Sequence, residues 1–196
     1  MATVKRPRCE HCDEPMPVLS RPSLARFCSG RCRVAAHRAR RQVPAEMTSR
    51  PRWVRRTARK VPLTVDGRAA SSTDPATWST YRQARASTAG VGVGFVLDGD
   101  GIVCVDIDHC LDGGAVAPWA RELLARFPAT YVEVSPSGDG LHVFGFADVA
   151  GGRHVRVGGH RVEVYGTGRY IAVTGVRHGG APARLADITA VVDELV

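Results

Sequence analysis

The chain has 196 residues, with 27 Lys or Arg against 19 Asp or Glu and a formal net charge of +8. That length holds one ordinary domain plus a small appendage. No apolar run is long enough to cross a membrane and no signal peptide is evident, so the six cysteines are expected in a reducing cytoplasm. The charge is uneven: residues 1–60 carry sixteen Lys or Arg against four Asp or Glu, and residues 61–196 carry eleven against fifteen. A polyanion is the natural partner for the basic end.

In chain order the first element is Cys9-Glu10-His11-Cys12 with Cys28-Ser29-Gly30-Arg31-Cys32, the two separated by fifteen residues rich in turn formers. Paired thiolates at this spacing suit tetrahedral Zn²⁺, and about forty residues with so little apolar content need such a staple to fold. Cys9, Cys12, Cys28 and Cys32 are therefore the expected zinc ligands, with a disulfide pairing as the alternative. His11 and His37 are left outside a shell that four cysteines already complete. The Phe27-Cys28-Ser29 start, followed by residues 32–41, resembles a treble-clef-like zinc finger whose last two ligands open a basic helix. Arg33, Arg38, Arg40 and Arg41 are its candidate contacts to nucleic-acid phosphates; a merely solvated face is the alternative, and alanines in place of bulky apolar anchors argue against a membrane surface. Residues 43–52 lack periodicity and are framed by prolines, so they read as a linker between a finger at 1–42 and a larger domain at 53–196.

Within that domain Asp74 and Pro75 form an N-cap and first-turn proline, and Trp78, Tyr81 and Ala84 or Arg85 continue one helix face. Strands are expected at 91–97 and 102–107, joined as a hairpin by Asp98-Gly99-Asp100-Gly101. A helix follows at 118–126, then strands at 130–134 and 141–146 around a glycine-rich turn. Short strands at 153–157, 160–165 and 170–173 lead to a closing helix with Ile188, Val191, Val192 and Leu195 at helical spacing. This order describes an α+β fold and excludes a simple doubly wound sheet.

Three stretches of the domain carry chemistry. In Val103-Cys104-Val105-Asp106-Ile107-Asp108, strand alternation puts Asp106 and Asp108 on one face and Val103, Val105 and Ile107 in the core. Glu163, between Val162 and Val164, supplies a third carboxylate by the same rule. Like charges this close need a divalent cation to stay ionised at neutral pH, and hard oxygen ligands favour Mg²⁺ or Mn²⁺. Asp-x-Asp alone is weakly specific and also describes a polar strand end. In Ser137-Gly138-Asp139-Gly140-Leu141-His142 the glycines let the backbone approach an anion closely, and His142 can donate to a phosphate oxygen. The alternative for His142 is a half-buried imidazole on the face of Phe144 and Phe146. Cys104 and Cys110 lack a partner pair at metal spacing and read as small buried hydrophobes.

Acid pair, glycine-rich turn with histidine, then acidic strand: in this order the stretches resemble the three motifs of the archaeo-eukaryotic primase superfamily, and specifically its phage- and plasmid-type primase-polymerase (prim-pol) branch. The resemblance runs from about Trp53 to Gly175 and includes Lys60-Val61-Pro62, Thr73-Asp74-Pro75, Val105-Asp106-Ile107-Asp108-His109-Cys110, Ser135-Pro136-Ser137-Gly138-Asp139-Gly140-Leu141-His142, and residues 163–170 ending in Val173-Thr174-Gly175. It implies a primase-like domain with a mixed or antiparallel RRM-like sheet. Asp106, Asp108 and Glu163 would be the metal-binding, catalytic carboxylates. Ser137 and His142 would lie at the incoming nucleotide's phosphates, with Gly138 and Gly140 in the same turn and Arg169 as a further contact. Many such relatives continue into a helicase module, whereas no P-loop precedes Val196, so a stand-alone module or the partner of a separately encoded helicase is expected.

The resulting expectation is metal-dependent nucleotidyl transfer on a single-stranded DNA template from nucleoside triphosphates, with structural zinc in the finger. Two alternatives stand beside it. One is a non-catalytic nucleic-acid-binding protein that keeps the prim-pol fold. The other is an Asp-x-Asp glycosyltransferase using a nucleotide sugar, in which the basic finger and His142 would have no role.

Overall fold

The computed structural model of the chain describes residues 7–10, 12–16, 25–40 and 42–196, and for 37–40 the backbone alone. His11, Arg41 and the side chains of His37, Arg38 and Arg40 lie outside the described residues. Two compact units are present, Met1–Gln42 and Val43–Val196. Among the described residues no helix is long and apolar enough to cross a membrane.

In the first unit the Cys9–Cys12 stretch closes a tight turn. The Asp13 N–H donates to the Cys9 carbonyl at 2.9 Å and the Cys9 N–H to the Glu14 carbonyl at 2.9 Å. Asp13 takes a left-handed φ of 57° to allow it. Helix α1 (Gly30–Arg40) starts between Cys28 and Cys32, and the Ser29 hydroxyl accepts the Cys32 N–H at 3.1 Å.

The second unit runs α2 (Ala45–Thr48), β1 (Trp53–Arg56), β2 (Pro62–Leu63), α3 (Tyr81–Ala86), β3 (Gly92–Asp98), β4 (Ile102–Ile107), β5 (Leu111–Asp112), β6 (Ala115–Val116), α4 (Pro118–Arg126), β7 (Tyr131–Val134), β8 (Leu141–Phe146), β9 (Gly152–Val157), β10 (His160–Tyr165), β11 (Thr167–Val173) and α5 (Thr189–Leu195). Every pair of these strands is antiparallel. They form a four-stranded sheet in the order β11-β3-β1-β2, a five-stranded sheet in the order β7-β8-β4-β10-β9 and a small β5-β6 ribbon. One apolar core lies between the large sheets and joins Trp53, Phe95, Leu97 and Ile171 to Cys104, Tyr131, Phe144 and Tyr165. A second core covers the back of the five-stranded sheet, where Val103, Val105, Ile107, Val143, Val162 and Val164 meet Ala120 and Leu123 of α4 and Val192 of α5. The five-stranded sheet is thus packed on both faces, which is why β4 reads as a nearly continuous apolar run.

Three expectations require correction. Residues 98–101 do not form a hairpin: β3 belongs to the four-stranded sheet and β4 to the five-stranded one. The turn is a corner that carries the chain between layers. Asp100 there is held by Arg50 and Arg52 at 2.8 Å each, and the Gly99 N–H donates to the Gly166 carbonyl at 3.0 Å. These partners replace the cross-strand hydrogen bonds a hairpin would need.

The helix expected from Asp74 is broken in two. Asp74 does cap a short 3₁₀ turn at Pro75–Thr77, its carboxylate accepting the Ala76 N–H at 3.1 Å. Ser79 then pairs its backbone with Trp53 through two bonds of 2.8 and 2.9 Å, and Thr80 starts α3 afresh with a capping box closed by Gln83.

Residues 43–52, expected as a linker, belong to the second unit. Met47 on α2 is fully buried in the inter-sheet core, its carbonyl accepts the Trp53 indole N–H at 3.1 Å, and Glu46 accepts the Leu185 N–H at 3.2 Å. The prolines frame a short packed helix.

Candidate active site

One row of side chains crosses the five-stranded sheet. Register places Glu133 on β7 opposite His142 on β8, His142 opposite Asp106 on β4, Asp106 opposite Glu163 on β10, and Glu163 opposite His154 on β9. Residues directly opposite on antiparallel strands share a face and have Cβ atoms about 5 Å apart, so five ionisable groups stand side by side. Their face is the one that carries Cys104, Phe144 and Tyr165 into the inter-sheet core. Where that core stops, a cleft of about 450 Å³ opens, lined from the five-stranded sheet by Asp106, His142 and Tyr165 and from the other side by Lys60, Pro62, Ser72 and residues 168–172.

Asp106 Oδ1 is buried and accepts no hydrogen bond, and His142 Nε2 lies 3.6 Å from it. Burial pushes the Asp106 carboxyl above the usual carboxylate range, against the charge of His142, while Asp108 and Glu163 push it further up and Lys60 opposes them. For His142, burial disfavours the charged ring, but the bond from Nδ1 to Glu133 at 3.1 Å and the negative charge of Glu133 and Asp106 hold it above the usual imidazole range. Glu163 is differently placed. Burial works against its charge, yet the Tyr165 hydroxyl, Arg161 at 2.5 Å and His154 at 3.1 Å hold its carboxyl below the ordinary value.

Asp108 is exposed in the turn beyond the end of β4, so it follows Asp106 in parity without standing on the strand. Ser137 donates to Asp139 and shares a 2.8 Å bond with Ser135, and Asp139 also bonds His109 Nδ1 at 2.7 Å. Gly138 has φ 86°, and a Cβ on Gly140 would meet the Ile107 carbonyl at 2.9 Å, so this turn packs directly on the end of β4. The structure therefore brings Asp106, His142 and Arg169 to one cleft. Asp108, Glu163 and Ser137 do not line it.

Arg169 stacks 4.7 Å over the Tyr165 ring and donates to its hydroxyl at 3.2 Å. Lys60, one of only two lysines in the chain, lines the opposite wall with φ 59°, and its carbonyl accepts from the Tyr170 hydroxyl. The sequence reading gave no role to Lys60, Tyr165 or Glu133. For Glu133 a signal existed, since an acid sits on the same strand face as Tyr131 inside an otherwise apolar run.

The cysteine cluster is a separate site. The Sγ atoms of Cys9, Cys12, Cys28 and Cys32 lie within 4.8 Å of one another, and Cys12, Cys28 and Cys32 are spaced 3.4, 3.6 and 3.7 Å apart. Four sulfurs about 2.3 Å from a tetrahedral Zn²⁺ are separated by about 3.8 Å, so the set fits that ion. It does not fit disulfides, which need about 2 Å. Hydrogen bonding with Cys32, Cys12 and Cys9 pushes the Cys28 thiol up to about 12. The three carboxylates do not converge in this way. A divalent ion fits at Asp106 on one observation, the buried oxygen without a hydrogen-bond partner facing a cleft.

Residues 28–195 match the family model described as "Bifunctional DNA primase/polymerase, N-terminal". The chain belongs to this family. The family match leaves the nucleotide-sugar alternative without support. A DNA primase-polymerase of Nitratiruptor phage NrS-1 is 38% identical over 133 residues, which cover 63% of this chain and 18% of the phage protein. The chain thus spans under a fifth of the length of that relative. The prim-pol resemblance read from the motifs and the α+β fold with antiparallel sheets both stand.

Proposed function

We propose that residues 43–196 form a template-directed nucleotidyl-transfer domain that adds nucleotides to a DNA-templated 3′ end, and that the finger helps it initiate. The observation that carries the reading is the cleft itself: an unpartnered Asp106 oxygen, His142 beside it, and the cations of Arg169 and Lys60 on the facing wall. Asp106 would hold a divalent ion, joined by Asp108 and by Glu163 once the latter is released from Arg161. Bound Mg²⁺ or Mn²⁺ would neutralise triphosphate charge and make the attacking 3′-hydroxyl more acidic. His142 and Arg169 orient the triphosphate by donating to its oxygens, and Ser137 in the turn to Gly140 would supply a further phosphate contact. No protein nucleophile is required.

Zn²⁺ is the proposed ion of the cysteine set, and Arg33, Arg38 and Arg40 of α1, with Arg41, the proposed contacts to single-stranded template. A helicase partner and a cytoplasmic setting complete the reading. The test is incubation of the full chain with single-stranded DNA, labelled nucleotides and Mg²⁺ or Mn²⁺, with and without a preformed primer. Incorporation is expected, and its dependence on the primer separates initiation from extension. Binding without incorporation under every condition would leave a nucleic-acid-binding module and overturn the proposal.

A further inference from the structure

Behind His142, on the side away from Asp106, lies a carboxylate that none of the motif readings uses. Glu133 has 0% exposure, and a charge so placed is tolerated only if its oxygens are fully satisfied. They are. Oε1 faces His142 Nδ1 at 3.1 Å and accepts the Thr174 N–H at 3.2 Å, while Oε2 accepts the Tyr131 hydroxyl at 2.7 Å and the Gly175 N–H at 2.8 Å. The two backbone N–H groups can only donate, one to each oxygen, so neither oxygen can be exchanged for an amide NH₂ without setting donor against donor. The imidazole meets an acceptor and commits Nδ1–H to it. With that nitrogen committed, ring plane and Nε2 direction are fixed, and Nε2 is left facing Asp106 and the cleft.

Glu133 reaches further than the ring. Thr174 and Gly175 directly follow β11, whose residues 169–172 line the opposite side of the cleft and include Arg169. The same connection is reinforced where the Thr174 hydroxyl donates to the Val134 carbonyl at 2.7 Å and the Val134 N–H to the Val176 carbonyl at 2.8 Å. One buried carboxylate on the five-stranded sheet thus holds both the histidine of that sheet and the end of the strand that bears the arginine of the other.

We propose that Glu133 is a positioning residue that aims His142 into the nucleotide cleft and ties it to β11, setting the two triphosphate contacts at a fixed separation. The inference rests on the proposed role of His142 at substrate phosphates. It is tested in the full chain with Glu133→Gln, His142→Ala and the double variant, following primer extension against nucleotide concentration. Glu133→Gln is expected to raise the nucleotide KM by about tenfold with a smaller change in kcat, and to raise it by no more than about threefold in the His142→Ala background, because only the tie to β11 and Arg169 is then left to disturb. Wild-type kinetics in Glu133→Gln, or effects that multiply in the double variant, would overturn the proposal.

A second measurement needs no substitution beyond one for assignment. Long-range ¹H–¹⁵N correlation on the ¹⁵N-histidine-labelled chain, with the His142 signals identified by their loss in His142→Ala, should show His142 Nδ1 protonated and slow to exchange. An unprotonated Nδ1 would overturn the proposal even if Glu133→Gln does not fold. An unchanged nucleotide KM in His142→Ala would count against the phosphate role of His142, and the NMR result would still decide Glu133.

Discussion

The two ligand sets of this chain are built in opposite ways. The cysteines converge on one another in a unit whose described residues offer little else to hold it: among them only Cys9 and Met16 are buried hydrophobics. The acidic row stands on a sheet packed on both faces, its register fixed by two cores, and most of its members already have partners. In the first case a bound metal would make the fold; in the second the fold makes the site. Removing an ion should therefore unfold one and merely silence the other.

The sharpest way to break that contrast is chelation. Stripping the metal, or Cys28→Ser, should abolish the ordered structure of the first unit while the second keeps its melting transition, read by amide NMR signals and calorimetry on the same sample. A concerted loss of both units would show that the finger is needed for the catalytic fold. Asp106→Ala should lower incorporation by more than about 10²-fold, the scale for losing one preorganised electrostatic group. Its melting temperature should not fall, since the substitution removes a buried oxygen that has no partner. An active, folded Asp106→Ala variant would remove the carboxylate row from the chemistry.

The boundary between the units gives a graded test. A truncation that starts at Val43 should keep full stability, whereas one that starts at Trp53 discards Met47, and burial of that size is worth about 2–5 kcal/mol. Equal denaturant midpoints for the two truncations would contradict the packing of α2. Arg169→Ala should produce the smallest change, a severalfold rise in nucleotide KM at nearly constant kcat, because a phosphate contact present before and during transfer contributes uniform binding. Isothermal titration showing unchanged nucleotide affinity would remove Arg169 from the substrate site.

Much of this was legible in the residues. The strands at 102–107, 141–146 and 160–165 and the helix at 118–126 each begin at or just after a glycine or proline and are apolar or alternating runs of the right length, and they fall where expected. What stayed hidden depends on partners far along the chain. Asp98-Gly99-Asp100-Gly101 has the composition of a hairpin, and only Arg50, Arg52 and Gly166 make it a corner. The break at Trp78–Ser79 is caused by backbone pairing with Trp53, which helix propensity does not register. Residues 43–52 look like a linker because a single buried methionine on a one-turn helix leaves no periodic trace. Asp106 and His142 were found because they sit in motifs with distinctive neighbours. Glu133 was missed because its four donors come from Tyr131, His142, Thr174 and Gly175, two of them backbone groups some forty residues away.

The row across the five-stranded sheet also governs when the protein first becomes competent. Its members are drawn from positions 106, 133, 142, 154 and 163, and the backbone that pins Glu133 comes later still, at 174 and 175. As the chain leaves the ribosome, no intermediate length holds a working subset: β4 gains one neighbour when β8 emerges and the other only with β10. Sliding any of these strands by a single residue would present Val105, Val143 or Val164 to the cleft in place of an ionisable group. On the proposed function, activity would appear only with the completed sheet, and a half-made or misregistered chain that meets nucleic acid would be inert.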